Sequence, residues 1–174
     1  MRSILFAGLM ALAGPAAAEV LSAGPNGFEV RETANLVIPV PQAYAAFSRV
    51  GAWWNPEHSY SGESANMRLD LRAGGCLCEQ WKGGGVEHMR IALAQPGEHI
   101  VLTGALGPLL YEGVSGSMDV KFERIAGGAR VTMTYRAGGF ARGNGDQLGP
   151  AVDSVLADQM KRFRAYAAKT GGRI

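Results

Sequence analysis

Alternating apolar and polar positions run through the middle of the chain, and glycine clusters cut the alternation into strand-length pieces. Seven strands are predicted: Phe28 to Val40, Met67 to Leu71, the stretch from Gly75 through Trp81, Val86 to Ala94, Ile100 to Leu106, Val114 to Ile125, and Arg130 to Arg136. Their period of two, with Val114, Met118, Val120 and Phe122 on one face and Val131, Met133 and Tyr135 on another, predicts antiparallel hairpins with one buried side. Two segments break the pattern. Gln42 to Val50 spaces Tyr44, Phe47 and Val50 as a short helix does. Beyond Pro150, Val152, Leu156, Met160, Phe163 and Ala167 recur at intervals of three and four up to Gly171-Gly172. Asp153 near the start of this last helix and Lys161, Arg162, Arg164 and Lys169 in its second half suit the helix dipole. The elements make one α+β unit, a curved seven-stranded antiparallel sheet around a long C-terminal helix.

The N-terminus reads differently. Arg2, the apolar run Ile4 to Ala13 and the small residues Ala16-Ala17-Ala18 have the layout of a secretory signal peptide, so residues 1–18 are expected to be removed and 19–174 to form a single domain. Export places the mature protein in the periplasm or outside the cell. No later segment is apolar for long enough to span a bilayer, so no integral membrane segment is expected after cleavage. The formal charge of +2 falls to +1 with the loss of Arg2, too weak a field to favour nucleic acid.

Cys76 and Cys78 are the only cysteines. On a regular strand their Cα atoms stand about 6.5 to 7 Å apart, at the outer edge of disulfide geometry, which favours two buried free thiols over a redox bridge. His58, His88 and His99 show no ligand spacing, so neither metal nor cofactor is implied.

Candidate chemistry gathers in three places. The run Trp53-Trp54-Asn55-Pro56-Glu57-His58-Ser59-Tyr60 sets two indoles beside an imidazole and a phenol, either as the rim of a cavity or as a loop pinned to the core. On the final helix, Gln159 falls within about 20° of Val152 and Tyr166 and about 40° of Phe163, so an amide faces the sheet, bound either to the backbone or to a ligand. Pairing Lys82 with Gly85 across the glycine turn sets Glu79 opposite His88 and Cys78 opposite Met89. That register groups Glu79, Trp81, His88 and Arg90 on one face and Cys76, Cys78, Met89, Ile91 and Leu93 on the other. Facing a cavity, Glu79 and His88 would be a general acid/base pair; facing water, an ordinary ion pair. A one-residue slip would exchange these partners. No nucleophile elbow, phosphate loop, dinucleotide fingerprint or zinc-protease helix is present.

Trp53-Trp54 with His58-Ser59-Tyr60-Ser61-Gly62, Gly74-Gly75-Cys76-Leu77-Cys78-Glu79, Gly84-Gly85-Val86-Glu87-His88-Met89-Arg90, Gly104-Ala105-Leu106-Gly107-Pro108 and Asp153 to Gln159 together resemble the SRPBCC superfamily of START-like, polyketide-cyclase-like proteins. The resemblance covers nearly all of residues 19–174. It implies a helix-grip fold, in which a sheet wraps a long helix around a hydrophobic cavity. It also implies a small apolar or amphipathic molecule as partner, held by residues among Trp53, Trp54, His58, Tyr60, Met89, Tyr135, Leu156, Gln159 and Phe163. Superfamily activities range from lipid carriers to cyclases and ATPase activators, and a signal peptide fits the last of these poorly. A cyclase- or hydratase-like enzyme using Glu79 and His88 is one alternative. A protein-interaction module with an exposed apolar patch near Trp53 and Trp54 is another.

Overall fold

A computed structural model describes residues 17–171 of the chain. The leader proposed for residues 1–18 therefore lies almost wholly outside the described residues. The first strand, β1 (Ala17–Gly24), opens at the end of that segment. It pairs with β2 (Gly27–Leu36) through a tight Pro25-Asn26 turn, and its register with β2 continues beyond Ala18, from Glu19 opposite Arg31 onward.

Helix α1 (Val40–Ser48) follows a proline-rich entry that ends β2. It buries Ala43, Ala46 and Phe47, and an irregular stretch carries the chain through the tryptophans to β3 (Met67–Leu69). Strands β4 (Cys76–Trp81), β5 (Gly84–Gln95), β6 (His99–Gly104), β7 (Val114–Ile125) and β8 (Gly128–Gly139) form successive antiparallel hairpins. Helix α2 (Gly145–Thr170) closes the described chain.

Among the described residues the sheet has eight strands in the order β1-β2-β8-β7-β6-β5-β4-β3, one more than the periodicity predicts. The extra strand is β1, whose short apolar run Val20-Leu21 follows directly on the proposed leader and carries little alternation of its own. Along β2 every second residue is buried, the signature of a sheet with one covered face.

Helix α2 covers that face with Leu156, Met160, Phe163 and Ala167, all buried, so the predicted stripe is the contact surface; Val152, at its upper end, is half-buried. The helix starts five residues before Pro150, which therefore sits inside it. Phe47, Trp53, Phe122 and Phe163 pack edge-to-face and tilted, with centroids 5.3 to 5.7 Å apart, and fill the lower part of the grip. Among the described residues no helix is long and apolar enough to cross a membrane.

Candidate functional site

The tryptophan loop is held from both sides by buried polar groups. From α2, the Gln159 side chain accepts from the Asn55 backbone N–H at 2.8 Å and donates to His58 Nδ1 at 2.9 Å. That pairing makes His58 the Nε2–H tautomer, since a donating amide needs a bare ring nitrogen. One residue earlier on α2, Asp158 accepts from the Asn55 amide at 2.8 Å, and Arg162 donates to the same carboxylate oxygen at 3.0 Å. From β4, the Glu79 carboxylate accepts from Tyr60 N–H at 2.9 Å and Ser61 N–H at 2.6 Å. Both indole N–H groups are spent locally, Trp53 on the carbonyls of Ala46 and Phe47 and Trp54 on that of His58.

Glu79 also meets His88 Nε2 at 3.2 Å, and both residues are buried. They are thus neither a solvated ion pair nor a directly opposed one. The turn is Lys82-Gly83, two residues away from the predicted register, so Trp81 pairs with Gly84 and Glu79 with Val86. A β-bulge then falls between the Cys78–Glu87 and Leu77–Met89 pairs. His88 is the extra residue. Its ring turns to the inner face beside Met89, diagonal to Glu79.

The bulge corrects two further expectations. Cys76, Cys78, Glu87 and Arg90 occupy the outer face, while Leu77, Glu79, His88, Met89 and Ile91 occupy the inner one, so the cysteines and Met89 are separated and Arg90 parts from His88. The cysteines are not free thiols. They form a disulfide with Cα atoms 5.4 Å apart, well inside the regular-strand spacing that disfavoured it, because β4 is locally shortened at the bulge. Cys76, Cys78 and Glu87 are also a cluster of donor types within 4.8 Å, but the sulfur–sulfur bond leaves no thiolate to bind a cation.

Burial holds the His88 imidazole below the ordinary histidine range, against the opposing pull of Glu79. For Glu79, burial alone would raise the carboxyl, but hydrogen bonds from Ser61, Tyr60 and His88 together hold it below the usual carboxylate range. Glu79 is therefore an ionised acceptor at neutral pH and His88 a neutral donor to it through Nε2. Nδ1 remains a hydrogen-bond acceptor on the ring. The Tyr60 phenol is pushed up to about 12, by burial first and then by Tyr111 and the charge on Glu79, and stays a donor, engaged with the Gly107 carbonyl at 3.0 Å.

These groups border a cavity of about 450 Å³ with mainly apolar walls. Trp54, His58 and Tyr60 form one side and His88 the floor. The 3-10 turn Gly107–Glu112, with Leu106 before it, forms a second wall, and Leu148, Ala151, Val152 and Val155 of α2 a third. Of the residues expected around a ligand, Trp54, His58 and Tyr60 meet here, together with His88. Trp53, Met89, Leu156 and Phe163 lie in the packed core instead, and Gln159 and Glu79 stand behind the wall. Tyr135 is also behind it. Its hydroxyl accepts from Leu106 N–H at 3.2 Å and donates to the Gly104 carbonyl at 3.3 Å, fixing the approach to the 3-10 turn.

Sequence reasoning missed Leu109, Tyr111, Leu148 and Val155. The apolar run Leu109-Leu110-Tyr111 after Pro108 was the available signal for the first two. A second concavity, about 490 Å³, lies on the outer face of β2, β7 and β8 among Arg31, Lys121, Arg130 and Arg136. Its walls are charged and polar, and it is the open trough of a twisted sheet rather than a chamber.

No protein-family model matches the chain, and no curated protein matches it. Solved structures do. A protein from Rhizobium leguminosarum superposes with a TM-score of 0.56 at 16% identity, covering 90% of this chain and 99% of its own. One from Mesorhizobium loti gives 0.60 at 10% identity over 82% and 98%. The likeness is one of fold. The same fold is found in the di-domain ARO/CYC StfQ of the steffimycin biosynthetic pathway, at a TM-score of 0.56 and 14% identity, over 85% of this chain and 53% of that one.

Proposed function

We propose that the protein binds a small apolar or amphipathic molecule in the cavity between the tryptophan loop, the 107–112 turn and the first half of α2, and that it does so as an exported, START-like protein. The observation that carries this reading is the cavity itself. Its volume of about 450 Å³ lies within the range of small-molecule sites, and apolar walls surround a few polar atoms at one end. Tyr60, His58 and His88 are among the polar side chains of the lining, with Glu57, Ser59 and Glu112, and are suited to orienting a single oxygen or nitrogen on a largely hydrocarbon ligand. The fold shared with an ARO/CYC protein supports the same reading, and the signal-like pattern of Arg2, the apolar run Ile4 to Ala13 and Ala16-Ala17-Ala18 supports export.

A hydrophobic fluorescent probe tests the site. Val152→Trp should fill the cavity and reduce probe uptake at least tenfold, with Val155→Phe as a second filling variant; wild-type affinity in both folded variants would refute the site.

One further observation favours the enzyme alternative, namely that His88 both touches Glu79 and lines the cavity. A neutral imidazole oriented by an ionised carboxylate can take a proton from a bound molecule at Nδ1, the step a cyclase- or hydratase-like reaction requires. In that case His88→Gln ends turnover, while a purely apolar probe, which needs no hydrogen bond from the ring, still enters the cavity. The interaction-module alternative needed an exposed patch at Trp53 and Trp54, and both are buried.

A further inference from the structure

The disulfide and the His88 imidazole lie on opposite faces of one distorted ladder. Cys76 and Cys78 project outward on either side of the inward Leu77, and both remain partly accessible. On β5, Glu87 stands opposite Cys78 and Arg90 opposite Cys76, and the two charged side chains pair with each other. The Glu87 carboxylate lies within 4.8 Å of both sulfurs and pairs with the Arg90 guanidinium, so the two charges offset one another beside the thiolate that enters and leaves disulfide exchange.

Turned over, the same segment delivers His88. Between the Cys76–Arg90 and Cys78–Glu87 pairs, β4 supplies one residue, Leu77, where β5 supplies two, His88 and Met89. The cysteine Cα atoms are 5.4 Å apart, against about 6.5 to 7 Å across the same two residues of a regular strand. The contraction, about 1 to 1.6 Å, is less than the roughly 3.3 Å rise of one residue, so it accompanies the bulge that sets His88 aside and does not by itself create it. The cross-link spans the one β4 residue that faces His88 and Met89, so the disulfide and the imidazole share one stretch of ladder.

We propose that Cys76–Cys78 is a thiol–disulfide exchange site for small thiols and that its oxidation state sets the position of His88 in the cavity wall. In the forward direction a small thiolate attacks one cysteine sulfur, the sulfur–sulfur bond breaks, and the other cysteine departs as a thiolate that takes a proton from water. A second small thiol then attacks the mixed disulfide at the small molecule's sulfur and frees the first cysteine. Two cysteines gain two electrons and two protons, and two small thiols become one disulfide. Freed of the link, β4 lengthens toward regular rise, the bulge loses its tie, and His88 withdraws from Glu79. The groups facing His88 are Glu79 from β4, Tyr60 with its ring 5.6 Å away, and Glu57, His58, Tyr111 and Glu112 around the cavity. Reduction changes the covalent state of none of them.

The consequence for a ligand rests on the cavity being a binding site; the movement of His88 does not. The test therefore reads them separately. The whole chain is equilibrated with reduced and oxidised dithiothreitol, its thiols are trapped by alkylation for intact-mass measurement, and His88 is followed by side-chain nitrogen NMR across pH. The native protein should take two alkyl groups without denaturant, and His88 should titrate about half a unit or more higher when reduced, as its burial is relieved. Cys76→Ser/Cys78→Ser should reproduce the reduced His88 signals. Cysteines that react only in denaturant, or His88 signals identical in the two states, overturn the proposal, as does a double variant that matches the oxidised form. A hydrophobic probe that binds neither state defeats the binding function and leaves the His88 comparison to decide the switch.

Discussion

Gln159 and Glu79 perform one task from opposite sides, each spending a buried carbonyl or carboxylate on backbone N–H groups of the tryptophan loop. Removing either acceptor strands buried donors, which costs about 1 to 3 kcal/mol each. Gln159→Leu should therefore lower stability in urea denaturation by that amount and red-shift tryptophan emission as the loop loosens; an unchanged midpoint would show that the loop holds itself. Glu32 raises a different question. It is buried in β2 against Asp153 of α2, and its pKa is raised to about 8, by burial first and then by the neighbouring carboxylate. Between about 4.5 and 8 the unfolded chain releases this proton while the folded chain keeps it, so stability declines as pH rises through that window. Glu32→Gln keeps a donor toward Asp153 and removes the titration. It should flatten the pH dependence and add roughly 1 to 3 kcal/mol at pH 8, read from denaturation curves at pH 5 and pH 8. An unaltered slope would place the proton elsewhere.

At the scale of elements, the 104–112 segment is built for close approach. Gly104 has φ of +145°, and a Cβ there would stand 2.9 Å from the His88 carbonyl oxygen. Gly104→Ala should cost about 1 to 3 kcal/mol in thermal denaturation and disturb the His88 environment, whereas a neutral result would mean that β5 and β6 can separate freely. This contact, like the bulge beside it, leaves no trace in a hydropathy pattern. Strand alternation in β2, β7 and β8 was legible because each buries one face in the core, β2 against α2 and β7 and β8 against α1, and the stripe on α2 was legible because it covers β2. The β4–β5 register was not. Gly83-Gly84-Gly85 accommodates more than one two-residue turn, and only packing selects Lys82-Gly83. The disulfide was misjudged on the same account, since its improbability assumed a regular strand. For β1, the Pro25-Asn26-Gly27 turn was the one available sign. One side of the cavity was visible, because Trp54, His58, Tyr60 and His88 are chemically conspicuous. The rest, Leu109, Val155 and their neighbours, are ordinary apolar residues that acquire a role only when distant elements meet.

For the molecule as a whole, the sheet and α2 enclose a core that is packed below and open above. Phe47, Trp53, Phe122 and Phe163 fill the lower part, so among the described residues the room inside the grip lies beneath the tryptophan loop and the 107–112 turn. Export adds a prediction at this scale. Protein recovered from its own host should begin at Glu19, by N-terminal sequencing, and a chain retaining Met1 would remove the leader from the account. The most direct measurement is NMR mapping of a bound hydrophobic probe, with the methyl groups of Leu109, Val152 and Val155 and the indole of Trp54 assigned. The account predicts shifts concentrated at those four residues and at the His88 ring. Saturating probe that leaves them unmoved, or shifts confined to the outer face of the sheet, would contradict it.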